Sequence, residues 1–168
     1  GMYIAIDRYE DAIKCYKEAL KIDNEKFEVL YGLGLAYFKS KKYNESIDFL
    51  HKAASIRGND SKVWYILGEV YRALNQHDKA IESLRKAISL EQNNIELWLA
   101  LADTYASMGS IDEAIESYKK VIDMDPSCKK AWIKLANLYR DAQNFDEASR
   151  CYEYVIELEP HNPNAWYE

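Results

Sequence analysis

Trp98, Leu101, Tyr105, Ala114, Tyr118 and Pro126 return further along the chain, in the same order and at the same spacing, as Trp132, Leu135, Tyr139, Ala148, Tyr152 and Pro160. An equal shift the other way reaches Trp64, Leu67, Tyr71, Ala80 and Leu84. A chain that repeats itself at about 34 residues builds a line of like units, each unable to bury its apolar face alone and each supported by its neighbours. Within a unit, apolar residues spaced by three and four, such as Trp64, Leu67 and Tyr71, share one face of a helix. With only three prolines and six glycines in 168 residues, the chain has little material for the turns of a many-stranded sheet. The fold expected from the period and from this composition is all-α.

The period and the residues that carry it resemble the tetratricopeptide repeat (TPR), nearly from end to end. The resemblance implies a right-handed superhelix of antiparallel helix pairs, a TPR solenoid. In that register residues 1–26 are a partial repeat, mainly its second helix, 27–60, 61–94, 95–128 and 129–162 are complete repeats, and 163–168 start another. Tyr3, one full period before Tyr37, then belongs to the second half of a missing first helix, and Glu10 to Ile22 form the second helix. Helices are expected near 27–40, 44–57, 61–74 and 78–91, with Asn44, Ser61, Asp78, Asp112 and Asp146 as N-caps. Gly58 is expected to end its helix in left-handed conformation, Gly109 to end the first helix of its repeat, and Pro126 and Pro160 to block continuation. Small residues at Gly34, Gly68, Ala102 and Ala136 should let the partner helix approach at Ser46, Ala80, Ala114 and Ala148. The larger signature residues then fill the space between pairs.

The totals narrow the function. A composition of 48% hydrophobic and 30% charged residues is that of a folded soluble protein, and no run of about 18 apolar residues is present to span a bilayer. Membrane insertion is therefore not expected. The net charge of −6 argues against nucleic acid as the main partner, because phosphate binding needs a basic footprint. Much of the excess lies in residues 95–128, with two basic side chains against seven acidic. Cys15, Cys128 and Cys151 are odd in number and lack C-x-x-C spacing, which indicates neither a disulfide framework nor zinc and fits a reducing, cytoplasmic compartment. His51, His77 and His161 show no metal-ligand spacing, and Gly32-x-Gly34 lacks the strand and third glycine of a phosphate loop. Asp112-Glu113 and Asp146-Glu147 fall at helix starts, where they complement the helix dipole. Asn44-Glu45-Ser46 matches a glycosylation acceptor at a helix start and carries no functional weight. No catalytic residue, metal or cofactor is expected, and the chain reads as non-enzymatic.

In TPR proteins the first helix of each pair lines a concave face where peptides lie. On this chain the resemblance places Tyr31, Leu35 and Phe38, then Tyr65, Glu69 and Arg72, then Leu99 and Asp103 on that face. Aromatic residues beside an arginine are typical binding hot-spot material. The alternative for Tyr31, Leu35, Phe38 and Tyr65 is packing against a neighbouring second helix or a missing N-terminal unit. The Lys-Asn clamp of chaperone-binding TPR domains is absent, since the matching pairs are Tyr31 with Leu35, Tyr65 with Glu69, Leu99 with Asp103 and Ile133 with Asn137. The asparagine ladder of the TPR region in O-linked sugar transferases is absent too, with Gly32, Ile66, Ala100 and Lys134 in its places. The expected function is a scaffold that binds a protein or peptide. Two alternatives are the regulatory or substrate-recruiting region of a larger enzyme, and a self-assembling structural array. Neither end carries a polar capping helix, so the chain is expected to be a piece of a longer array, with weak self-association through its ends.

Overall fold

The structure is a computed structural model that describes residues 2–158. Among these, nine helices follow one another: α1 (Met2–Ile22), α2 (Phe27–Lys39), α3 (Tyr43–Ile56), α4 (Ser61–Ala73), α5 (His77–Leu90), α6 (Ile95–Met108), α7 (Ile111–Met124), α8 (Lys129–Asp141) and α9 (Phe145–Glu157). The chain divides into two compact units, Gly1–Leu97 and Trp98–Glu168. In the first unit each of α1 to α4 packs on the next, and in the second α8 packs on α7 and α9. Pro160, His161 and the expected new repeat at 163–168, Trp166 included, lie outside the described residues, as does the side chain of Tyr3.

The turn inside each helix pair is the same object four times. Lys41, Asn75, Gly109 and Gln143 have φ of 62°, 57°, 82° and 62°. The amide of the following residue donates back to the signature tyrosine's carbonyl: Lys42 to Tyr37 at 2.9 Å, Gln76 to Tyr71 at 2.9 Å, Ser110 to Tyr105 at 3.0 Å and Asn144 to Tyr139 at 2.8 Å. This is a Schellman ending, in which a left-handed residue turns the chain and satisfies carbonyls the helix leaves open. Gly109, expected to end its helix, does so in this conformation. Elsewhere a lysine, an asparagine and a glutamine do it, without a glycine to signal the turn.

Three expectations are corrected by the backbone. Asn44, Asp78, Asp112 and Asp146 are not N-caps, because the helices open one residue earlier, at Tyr43, His77, Ile111 and Phe145. The residue leaving the Schellman turn already accepts the first helical bond, as Lys42 does from Ser46 at 3.1 Å and Ser110 from Ala114 at 3.1 Å. The acids then lie in the first turn, where they still complement the dipole. Ser61 likewise begins α4, and Asp60 caps it by accepting from the Lys62 amide at 3.0 Å. Gly58 is not left-handed: α3 ends at an extended Arg57, φ −136°. Its carbonyl accepts the Trp64 indole N–H at 2.8 Å, as the Pro126 carbonyl accepts that of Trp132 at 2.8 Å. Finally, α1 is one uninterrupted helix from Met2 to Ile22, without the expected break before Glu10.

Small residues set the helix approach as expected, with one addition. The Ser46 hydroxyl donates to the Gly34 carbonyl at 2.7 Å across the α2–α3 crossing. A Cβ on Gly34 would meet Leu50 Cγ at 2.6 Å, and one on Gly68 would meet Leu84 Cγ at 2.8 Å. The glycines thus make room for a leucine as well as for Ser46 and Ala80. Gly32 seats Tyr16 of α1 in the same way, its added Cβ lying 2.5 Å from the ring. The core follows the signature: Leu33, Leu50, Val63, Leu67, Val70 and Leu84 are fully buried in the first unit, and Ala114, Val121, Ala131 and Ala136 in the second.

Candidate partner-binding face

The first-helix residues singled out from the sequence are all half-buried, and they divide by unit. In the first unit Phe27 stacks on Tyr31 with centroids 6.0 Å apart and planes 5° from parallel. Further along the helix, Phe38 tilts against Tyr43 of α3 at 6.2 Å. Tyr31 and Phe38 rest on the core cluster around Leu30, Leu50 and Leu67. The packing alternative therefore accounts for one side of these rings, while Leu35 is half-buried beside them. Burial, with help from Asp60, raises the Tyr31 pKa above the usual phenol value.

On α4 the arrangement is polar as well as aromatic. The Tyr65 hydroxyl donates to Glu96 at 3.1 Å. Arg72 pairs with Glu69 one turn before it, both side chains about one quarter exposed. Burial first, then the charges of Glu69 and Glu96, drive the Tyr65 pKa strongly upward, so the phenol stays protonated and remains a donor. The surface here is a half-buried phenol beside a preformed ion pair.

In the second unit Leu99 is half-buried and Asp103 is already engaged. The Tyr118 hydroxyl of α7 donates to the Asp103 carboxylate, and Lys134 and Lys130 approach it at 3.5 and 3.9 Å. The Asp103 side chain is 17% exposed. One repeat on, Tyr152 of α9 donates to Asn137 at 2.6 Å. Each tyrosine follows its acceptor at the same sequence spacing. That spacing is visible in the sequence but was missed there, because nothing local links the two positions. Ile133, on the same stripe, is 41% exposed.

Among the described residues no group of three or more His, Cys, Asp or Glu is placed to hold a metal ion, and no helix is long and apolar enough to cross a membrane. The Cys151 thiol is buried and its pKa raised, chiefly by that burial.

Residues 2–41 and 27–60 match family models described as TPR repeat and tetratricopeptide repeat, and residues 52–167 match one described as the cilia and flagella-associated protein 70 C-terminal domain. The chain belongs to the tetratricopeptide-repeat family. No curated protein matches this TPR chain. Among solved structures, a crystal structure of MamA is 30% identical, covers 95% of this chain and 92% of its own, and superposes with a TM-score of 0.85. YrrB, whose structure is described as a TPR protein with an unusual peptide-binding site, is 26% identical, with 96% and 84% covered and a TM-score of 0.78. MamA from Desulfovibrio magneticus RS-1 is 21% identical, with 94% and 90% covered and a TM-score of 0.84, and shares the fold. The all-α TPR fold expected from the period is thereby shown.

Proposed function

We propose that this TPR chain is a protein-interaction scaffold that takes a peptide or protein segment on the face of its first helices. Tyr31, Leu35, Phe38, Tyr65, Glu69 and Arg72 form the contact surface of the first unit, and Leu99 and Asp103 offer a contact in the second. No catalytic role is assigned to any residue. The reading rests on Tyr65, a half-buried phenol held at Glu96 beside the Glu69–Arg72 pair. Tyrosine and arginine lose little conformational freedom when they are already packed or paired, which makes them efficient anchors. YrrB, with its peptide-binding site, has the same fold at 26% identity and supports this reading.

The test is selection of a displayed peptide library on the wild-type chain, followed by calorimetric titration of the selected peptides against Tyr65→Ala and Arg72→Ala. Loss of about 2 kcal/mol or more of binding by a variant with unchanged circular dichroism is expected for a hot spot. Peptides bound equally by both folded variants would remove this face from the proposal.

A further inference from the structure

In the first unit a cleft of about 700 Å³ opens between α3, α4 and α5, with Trp64 and Tyr71 as its floor and His51, Lys79, Ser83 and Lys86 among its walls. Trp64 and Tyr71 lie two helical turns apart on one face of α4, and Tyr65 and Arg72 on another.

Neither of two rings that other repeats carry is present at the cleft. In the preceding repeat Phe49 stacks on Tyr37 at 5.5 Å; one repeat on, its place is taken by Ser83. In the second unit Tyr154 lies on Trp132 at 4.5 Å; two repeats earlier its place is taken by Lys86. Ser83 and Lys86 thus stand where one other repeat each puts a ring, the first with Phe49 and the fourth with Tyr154, while the third carries Ser117 and Lys120 there. Two further groups are held at the Tyr71 floor: Lys79 Nζ lies 5.5 Å from the ring centroid, and His51 Nε2 is 2.9 Å from the hydroxyl.

The charge of the cleft opposes that of the chain. Lys79, Arg85 and Lys86 face one carboxylate, Glu82, in a protein of net charge −6. Neither Lys79 nor Lys86 is paired with a carboxylate among the described residues. From Lys79 to Ser89 the α5 wall runs about 15 Å at the helical rise, the length of about four to five extended residues. We propose that this cleft is a second binding site, for a short acidic stretch of peptide in extended form. Its carboxylates meet Lys79 and Lys86, and one apolar side chain covers the Trp64–Tyr71 floor. The site shares no residue with the first-helix face, so it stands whether or not that face binds.

The test uses the whole chain and fluorescein-labelled pentapeptides that alternate Glu with Phe, Leu or Tyr, beside their Gln counterparts, read by fluorescence anisotropy. At least one acidic peptide should bind about tenfold or more tighter than its Gln counterpart, with the advantage shrinking as salt rises. Lys86→Tyr, which copies the lid of the second unit, should weaken binding about tenfold while the melting temperature holds or rises. Lys79→Gln should weaken it severalfold. If Lys86→Tyr does not fold, Lys79→Gln carries the test. Equal binding by the folded Lys86→Tyr variant, equal binding of the Gln peptides, or no binding of any acidic peptide up to about 1 mM would overturn the proposal. Saturable binding of inorganic phosphate that depends on Lys86, with no gain from the peptide, would overturn it in favour of a simple anion site.

Discussion

In the first unit α4 is flanked by α3 and α5, and in the second α8 is flanked by α7 and α9. Both middle helices carry the same tryptophan and tyrosine, Trp64 and Tyr71 in one, Trp132 and Tyr139 in the other. Around Trp132 the space is filled by Tyr154, and Lys119 lies 5.9 Å from the Tyr139 ring, its pKa raised chiefly by its hydrogen bond to that phenol. Around Trp64 the space is open. The helix pairs differ inside as well. In the first unit Gly34 faces Leu50 and Gly68 faces Leu84. In the second Ala102 and Ala136 are fully buried, and Tyr118 and Tyr152 reach across to Asp103 and Asn137. A glycine with a branched leucine and an alanine with a flat ring are two solutions to one crossing. The second brings a tyrosine hydroxyl across the crossing to a polar side chain of the first helix.

The largest test of this contrast removes the tryptophans in turn. Trp132→Ala, which strips the partner of Tyr154, is expected to cost about 3–5 kcal/mol in urea denaturation. Trp64→Ala should cost about 1–2 kcal/mol less, because one side of that indole already faces the cleft. Equal losses would mean that the lid contributes nothing to stability.

Next in size is the crossing itself. Gly68→Ala places a methyl group 2.8 Å from Leu84 Cγ, and overpacking of this kind costs about 1–3 kcal/mol against a gain of about 1 kcal/mol in helix propensity. A net loss of up to about 2 kcal/mol is expected. Adding Leu84→Tyr, which imports the alanine–tyrosine solution, should recover most of it in a double-mutant cycle. Additive losses would show that the two pairings are not interchangeable.

A smaller effect is expected at the tyrosine hydroxyls that bond side chains across the crossings of the second unit. Tyr118→Phe removes a hydrogen bond to a carboxylate that is 17% exposed, at a cost of about 1–2 kcal/mol. Tyr152→Phe, whose acceptor is a neutral asparagine, should cost about 1 kcal/mol or less. The order of the two melting temperatures checks it.

The smallest effect should be a gain. His77 opens α5 at the position held by Ile111 and Phe145 in the second unit, and its Nδ1 is buried with no hydrogen-bond partner. His77→Ile should stabilise the chain by about 1 kcal/mol, since an apolar group leaves no unsatisfied atom. A lowered melt would show that the imidazole finds a partner in solution.

Each described helix from α2 to α5 starts and ends within one residue of the span read from the sequence, because the apolar period is a local property that every repeat states again. The packing of signature residues was legible for the same reason. The first-helix stripe was legible as a set of positions, but not as a set of contacts. Nothing around Tyr65 in the sequence points to Glu96, nearly a full repeat away, and nothing around Asp103 points to Tyr118. The second bond depends on how a Schellman turn returns one helix along another, and the first on how successive pairs stack. That turn was itself obscured, because Lys41, Asn75 and Gln143 adopt a conformation for which glycine is the usual signal.

What the sequence alone determined is the repeating unit. Its residue types recur at a spacing that has one helical solution, and each copy needs a neighbour to bury its apolar face. What the tertiary structure decided is which copies are filled and which are open. A lid such as Tyr154 or Phe49 and a gap such as that at Ser83 and Lys86 occupy the same place in the register. Whether that place holds a ring or a cleft depends on side chains from three helices meeting over one tryptophan. Volume is a property of the packed assembly, and no single helix carries it.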